Sequence, residues 1–277
     1  MDVYKNKIAV ITGGASGIGK CLGEKLAAWG GDVVLSDINR AGLEKVVAKI
    51  AAQGGHVQGE VLDVTDYEAF QKHIDGIVAA KGRIDYIFNN AGIAIAAEFQ
   101  DMTVEDWNKV IDINLHGVFH GSILAYKQMV KQGFGHIVNL SSIEGLIPFP
   151  TTGSYVATKY AVLGLTQGMW VEGRSRGVKT HAVCPGFIRT NIFDASKMVN
   201  IERSKLLDQY KFLEKMGISA ENCAEAILRG VAKDKPIIPV TTLAHLIWRL
   251  ARLTPIGILN WVRRDFDKWR HRVRPAA

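Results

Sequence analysis

Short apolar runs alternate with longer amphipathic stretches along most of this chain. The runs KIAVIT (7–12), DVVLSD (32–37), HVQGEVLD (56–63), IDYIFNN (84–90), GHIVNLS (135–141), KTHAVCP (179–185) and PIIPV (236–240) predict strands. Helical periodicity fills the gaps, at about 17–30, 40–53, 66–81, 103–133, 154–176 and 220–233. Continuous runs such as IAVI and VVLS suit strands buried on both faces. Alternation of this kind predicts right-handed crossovers and an α/β fold, a doubly wound, mostly parallel sheet with helices on both faces. With no Pro/Gly/Ser linker and no internal repeat to divide it, one unit is expected over 1–240.

The pattern changes after residue 240. Leu243, Leu246, Ile247, Leu250 and Leu253 recur at helical spacing, with Arg249 and Arg252 beside them. Pro255 breaks that helix before Ile258, Leu259, Trp261, Val262, Phe266 and Trp269 begin another. Residues 241–277 carry seven Arg and one Lys against two Asp, a net +6 of the chain's +7. The basicity therefore belongs to the tail, and an evenly basic nucleic-acid surface is not expected. Arginines beside Trp and Leu on short helices suit contact with a membrane surface. The same helices could instead cap a pocket or pack in an oligomer interface.

Composition narrows the setting. A 277-residue chain that is 48% hydrophobic can bury a large core. Cys21, Cys184 and Cys223 form no C-x-x-C pair, which argues against a disulfide framework or zinc site. His116 and His120 are i,i+4 neighbours, but no carboxylate completes a ligand set, so no metal is expected. The N-terminus offers only the apolar run Ile8–Ile11 before a glycine, and no apolar stretch approaches the ~18 residues of a membrane span. A cytoplasmic location is expected, with peripheral membrane contact through the tail left open.

Two local patterns carry chemistry. The first predicted strand runs into TGGASGIG, where Gly13, Gly17 and Gly19 permit a tight turn and close backbone approach to a pyrophosphate at a helix N-terminus. Ser16 and Ile18 lie in the same turn. The next strand ends in Asp37, placed to accept hydrogen bonds from both adenosine ribose hydroxyls and to repel a 2′-phosphate, which favours NAD over NADP. Capping of the following helix would suit the same carboxylate. In the second pattern, GSYVATKYA puts Tyr155 and Lys159 on one helix face. An ammonium near a phenol favours the phenolate, so Lys159 is expected to lower the Tyr155 pKa from about 10. Ser141 and Ser142 lie just upstream and would point to opposite faces of a strand.

In these residues the sequence resembles the short-chain dehydrogenase/reductase family, in its single-domain branch. TGGASGIG resembles the family's cofactor turn, Asp63-Val64 the pair beside the adenine, and NNAG (89–92), with Asn90 and Gly92, the motif lining the cofactor site. Asn114 matches the active-site asparagine, Ser142 the serine thirteen residues before Tyr155, and CPGFIRT the segment over the nicotinamide. The resemblance implies a Rossmann-type fold and an oxidoreductase interconverting an alcohol and a ketone. It implies Tyr155 as general acid/base, Lys159 as its activator and ribose ligand, Ser142 as holder of the substrate oxygen, and Asn114 as anchor of a proton-relaying water. Pro185, Gly186, Ile188 and Thr190 would contact the nicotinamide end. It also implies a homodimer or homotetramer, paired through the helices near 103–133 and 154–176.

The substrate region should lie after Ser142 and in Phe187–Ser219. Ile143, Leu146, Ile147, Phe149, Ile192, Phe193, Met198 and Ile201 make it mainly apolar, and Arg189 is its one evident anion holder. A hydrophobic alcohol or ketone of steroid, lipid-derived or alicyclic type is expected. Two rivals remain: an NADPH-dependent carbonyl reductase, which Asp37 opposes, and a non-catalytic dinucleotide-binding scaffold, which would have no need of Tyr155 with Lys159.

Overall fold

The computed structural model describes residues 2–190, 196–215 and 217–274. The first half of the sheet comes from β1 (Ile8–Thr12), α1 (Gly17–Ala28), β2 (Asp32–Asp37), α2 (Arg40–Ala52), β3 (His56–Val61), α3 (Tyr67–Lys81) and β4 (Tyr86–Asn89). Then follow β5 (Ile95–Ala96), α4 (Val104–Ile111), a π turn (Asp112–His116), α5 (Gly117–Gln132), β6 (Gly135–Leu140), a 3₁₀ turn (Ile143–Gly145), α6 (Gly153–Gly173) and β7 (Val178–Cys184). The remainder is β8 (Ile188–Arg189), β9 (Lys197–Met198), α7 (Arg203–Lys215), β10 (Ile218–Ser219), α8 (Ala220–Ala232), β11 (Ile237–Pro239), α9 (Thr242–Leu253) and α10 (Pro255–Val273).

Seven strands form one parallel sheet in the order β3-β2-β1-β4-β6-β7-β11. Alternate side chains of β1 feed two cores. Ala9 and Ile11 face α1, α2 and α8, while Ile8 and Val10 face α3 and α5. The strand order reverses between β1 and β4, so a crevice opens beyond their carboxyl ends. Buried Asn89 stiffens that point, donating to Asn139 Oδ1 on β6 at 2.8 Å and to Ser122 Oγ on α5 at 3.1 Å.

The strand and helix boundaries expected from periodicity hold to within about two residues, with one informative exception. The segment expected as one helix over 103–133 is interrupted by the π turn at Asp112–His116. Such a turn inserts an extra residue into the helical ladder and is frequent at functional sites. The paired histidines have separate jobs: His116 meets Asp112 and His120 meets the Val64 carbonyl.

The tail folds back on the body, using only part of the leucine stripe. Ala244 and Ile247 of α9 and Ile258 of α10 are buried against Ile143 and Ile147. Leu246, Leu250 and Leu253 face outward instead, because β11 and the 3₁₀ turn meet the helix from the Ala244–Ile247 side. Further along α10, Trp269 and Val273 pack on Ala96, Ile201 and Leu206. Arg270 and Arg274 clamp Glu98, and Arg274 also reaches Asp101 at 2.7 Å. Burying Ile247, Ile258, Trp269 and Val273 contributes roughly 1.5–3 kcal/mol apiece, enough to keep the helices docked.

Candidate active site

A cleft of about 1180 Å³ lies at the carboxyl ends of β1, β4, β6 and β7. That exceeds the ~300–1,000 Å³ of an ordinary small-molecule pocket, leaving space for two ligands side by side. All four residues of the expected catalytic set belong to this region; Ser142, Tyr155 and Lys159 line the cleft itself, while Asn114 sits behind it.

One end of the cleft is built from backbone. Gly13 and Gly17 take φ of 68° and 52°, which L side chains rarely adopt. A Cβ on Gly19 would strike the Gly13 carbonyl, so the turn is closed to any larger residue there. Ser16 occupies the N-cap of α1 without a side-chain cap hydrogen bond, and Ile18 packs on the core while lining the cleft. First-turn N–H groups of α1 thus lack a side-chain partner at the cap, which suits an anion. Asn90 spends its amide on the Thr12 and Gly13 carbonyls at 3.0 and 3.2 Å, holding the turn in shape.

Asp37 ends β2 at the cleft wall. It accepts from Ala15 N at 3.0 Å and Asn39 N at 2.9 Å. The cap of α2 is Asn39, whose side chain accepts from Gly42 N. Asp37 is therefore not the helix cap, and its carboxylate borders the space beside the glycine turn. Asp63 and Val64 line the same wall; Asp63 is held by Thr65 through two hydrogen bonds of 2.9 and 2.8 Å. Across the cleft, Pro185 accepts from Ile143 N, Gly186 packs on Thr241, and Ile188 and Thr190 complete the lining. Glycine turn, acidic wall and far lip together fit an extended dinucleotide.

The other end carries side-chain chemistry. Ser141 donates to the Lys159 carbonyl at 2.7 Å, whereas Ser142 accepts from Glu144 N at 3.1 Å and interacts with Tyr155. Lys159 Nζ donates to the Leu140 carbonyl at 2.8 Å and lies 5.2 Å from the Tyr155 ring centroid. Asn114 is fully buried. Its side chain accepts from Ile93 N and donates to the Ile93 carbonyl, both at 2.9 Å, at the π turn of the α4–α5 helix pair. Gly92 leaves room beside both: a Cβ there would stand 3.2 Å from Asn114 Oδ1 and 3.7 Å from Lys159 Nζ.

Electrostatics corrects one expectation. Burial raises the Tyr155 pKa, the Glu144 charge adds to the rise, and the Ser142 interaction opposes it. Lys159 therefore does not leave the phenol depressed in this structure; its ammonium is turned to the Leu140 carbonyl. Burial brings Lys159 itself down to about 8, against the pull of Glu144 and Cys184. Glu144 is pushed up to about 7 by burial, with the Thr152 hydrogen bond and Lys159 opposing. The Cys184 thiol is pushed up to about 12 by burial and stays protonated.

The substrate end differs from the expected picture in two places. Arg189 spends one N–H on the Gly217 carbonyl at 2.6 Å, which anchors its guanidinium to backbone. Ile192 and Phe193 lie outside the described residues, while Met198 and Ile201 pack toward α10. Glu144 was overlooked in reading the sequence, although a lone acid in the apolar run IEGLIPF was visible there. Thr152, which donates to its Oε2 at 2.5 Å, carried no such signal.

The short chain dehydrogenase family profile matches residues 7–199. SadH of Mycobacterium tuberculosis, a protein named as an oxidoreductase, is 34% identical over 256 residues, covering 91% of this chain and 92% of its own. A cyclohexanol dehydrogenase of Acinetobacter sp. is 36% identical over 202 residues, 72% of this chain and 80% of that one. A short chain dehydrogenase/reductase from Burkholderia phymatum, solved in complex with NAD, superposes with a TM-score of 0.80 at 29% identity over 100% of this chain and 99% of its own. With a matching profile over most of its length, relatives that span it and a solved structure that superposes over all of it, the chain belongs to the short-chain dehydrogenase family and is an oxidoreductase of that kind.

Proposed function

We propose that the protein is an NAD-dependent oxidoreductase that interconverts a hydrophobic secondary alcohol and its ketone. The observation that carries this reading is the meeting of Ser142, Tyr155 and Lys159 in a cleft whose opposite end is walled by Asp37. Solved relatives carry NADP as well as NAD, so the choice of dinucleotide rests on that carboxylate. Oxidised dinucleotide, when bound, supplies the hydride acceptor and a positive ring charge that favours the phenolate.

Tyr155 takes the alcohol proton in oxidation and returns it in reduction. Ser142 holds the same substrate oxygen by hydrogen bond; Lys159 binds the nicotinamide ribose, and only together with the ring charge of the bound dinucleotide does its ammonium offset the burial that raises the Tyr155 pKa. Asn114 fixes the Ile93 backbone behind Lys159, where a water chain can carry the proton onward. Gly13, Ser16, Gly17, Ile18 and Gly19 embrace the pyrophosphate, Asp37 the adenosine ribose, and Asp63 and Val64 flank the adenine. Asn90 and Gly92 support the central stretch, and Pro185, Gly186, Ile188 and Thr190 border the nicotinamide. Apolar Ile143, Ile147 and Phe149 favour a hydrophobic substrate. Residues 1–240 carry this chemistry, and of the tail 241–277 the described helices α9 and α10 cover its substrate side.

The test is nicotinamide absorbance with NAD⁺ and NADP⁺ over a panel of secondary alcohols. Wild type should prefer NAD⁺, and Asp37→Ser should move the preference toward NADP⁺. An initial preference for NADP⁺ would favour the carbonyl-reductase reading. Dinucleotide binding without turnover on any alcohol or ketone would favour a scaffold.

We further propose two surfaces for association. On α6, Tyr160, Gly164, Gly168 and Val171 share one exposed face, which suits pairing of two copies into a homodimer or, with a second interface, a homotetramer. On the tail, Leu253 is 82% and Trp261 61% exposed, close to Arg249, Arg252 and Arg264. No described helix is long and apolar enough to cross a bilayer, so contact would be peripheral. Co-sedimentation with anionic vesicles, weakened by Leu253→Asp with Trp261→Asp, is expected; equal recovery with and without vesicles would overturn it.

A further inference from the structure

Among the described residues the Glu144 carboxylate is the one acidic group set among the catalytic side chains, and the proton transfer described above does not use it. It lies on the 3₁₀ turn Ile143–Gly145, directly after Ser142, and its backbone N–H is 3.1 Å from the Ser142 hydroxyl oxygen. Its side chain lines the cleft and stands in the electrostatic field of both Tyr155 and Lys159. The residue is half-buried, and a carboxyl on a cleft wall keeps acceptor capacity for whatever enters the cleft.

The protein uses only part of that capacity. Thr152 donates to Oε2 at 2.5 Å, while Oε1 accepts no hydrogen bond among the described residues. The Thr152 contact is itself held by a strained backbone. Thr151, a β-branched residue, sits at φ 68°, and its carbonyl accepts from Ala97 N at 2.7 Å. Strain of about 1–3 kcal/mol persists where the surrounding structure imposes it, often at ligand sites. Here it presents the Thr152 hydroxyl to Glu144 and fixes which carboxylate oxygen stays free.

We propose that Glu144 is a specificity residue that accepts a hydrogen bond from a second hydroxyl of the substrate, near the carbon that is oxidised. The inference rests on the alcohol-oxidising reading above and narrows it, from hydrophobic alcohols in general to ring alcohols bearing another hydroxyl. A hydroxyl fits better than a cationic group, because the Lys159 ammonium already stands beside this carboxylate and would repel a second cation. A carboxylate or phosphate would meet the Glu144 carboxylate itself, whereas Arg189 is anchored by one N–H to the Gly217 carbonyl. The neighbouring wall, Ile143 and Ile147 backed by Ile247 and Ile258, suits the ring's carbon skeleton. Thr152 positions the carboxylate.

The test compares cyclohexanol with the cis and trans isomers of 1,2- and 1,3-cyclohexanediol, in wild type, Glu144→Gln, Glu144→Ala and Thr152→Val. The readout is the ratio of kcat/KM for the best diol to kcat/KM for cyclohexanol. General damage to the site lowers both and leaves the ratio unmoved, whereas loss of a specific partner lowers the ratio. Wild type should favour a diol, and the ratio should fall about tenfold or more in Glu144→Ala, less in Thr152→Val. No diol preference in wild type, or a ratio unchanged in both Glu144 variants, would overturn the proposal. If no alcohol is turned over, the alcohol-oxidising reading fails separately. Calorimetric binding of the same diols and cyclohexanol then decides the role of Glu144 by the corresponding ratio of Kd values.

Discussion

The two ends of the cleft are built on different principles. The dinucleotide end is local and made of backbone: the turn from Thr12 to Gly19 is closed by Asn90, and Asp37 is held by Ala15 and Asn39. Nearly every contact there joins neighbouring strand ends of one sheet. The substrate end is assembled from distant pieces. Ile143 and Ile147 meet Ala244, Ile247 and Ile258, and Ala96 meets Leu206, Trp269 and Val273. Its seal is ionic, with Glu98 some 170 residues from its arginines. The contrast separates a scaffold that tolerates almost no change from a cover whose replacement would alter specificity while leaving the reaction intact.

Perturbations of the two ends should therefore separate cleanly, and a change at their meeting point should be largest of all. Tyr155→Phe removes only a hydroxyl, yet turnover should fall by about 10²–10⁴-fold, the range of a lost general acid/base. Dinucleotide binding, read by quenching of protein fluorescence, should persist. Retention of more than a tenth of wild-type turnover would remove Tyr155 from its role.

At the dinucleotide end, Gly19→Ala drives a methyl into the Gly13 carbonyl. Because backbone is the obstacle, the turn itself must shift. Dinucleotide Kd should rise by about tenfold or more, equivalent to about 1.4 kcal/mol, with KM for the alcohol changing less. An unaltered Kd in isothermal titration would mean that the turn has slack absent from this structure.

A milder effect is expected at the cover. Arg270→Ala with Arg274→Ala leaves Glu98 half-sealed and unpaired. Burial pushes the Glu98 pKa up, but the hydrogen bonds and charges of Arg270 and Arg274 outweigh it and hold the carboxyl below its usual range. A carboxyl whose folded pKa is lowered adds stability above its unfolded pKa, and that stability is lost as pH falls through the folded value. The double variant should lose about 1–3 kcal/mol near neutral pH and become less sensitive to acid than wild type. Thermal melts from pH 3 to 7 read this. Substrate KM should rise while dinucleotide Kd holds; an equal change in both would erase the distinction between the two ends.

The same division governed how much could be read from the sequence. The glycine turn, Asp37, Ser142 and the Tyr155–Lys159 pair stand in short motifs because backbone geometry and helix spacing act over a few residues. Glu144 stands in no motif, since a single acid in a loop has no periodicity, and its setting comes from the Thr152 hydroxyl and the cleft wall around it. The sign of the Tyr155 shift failed for a related reason: i,i+4 spacing brings an ammonium near a ring, but desolvation belongs to the surrounding volume. In the tail, the leucine spacing announced a helix without fixing its inner face, because all five apolar residues of the stripe satisfy the period and only the docking partner selects among them.

By itself, then, the sequence determined the strand–helix alternation, the parallel sheet and the backbone turn that suits a pyrophosphate. These follow from periodicities of two and 3.6 residues and from glycine's freedom at positive φ. The tertiary structure alone decided which way α9 and α10 face, which carboxylate oxygen of Glu144 stays free, and that Arg270 and Arg274 close on Glu98. The docking of the tail and the Glu98 clamp depend on contacts between residues far apart in the chain, and the Glu144–Thr152 contact on a loop turn that no periodicity encodes.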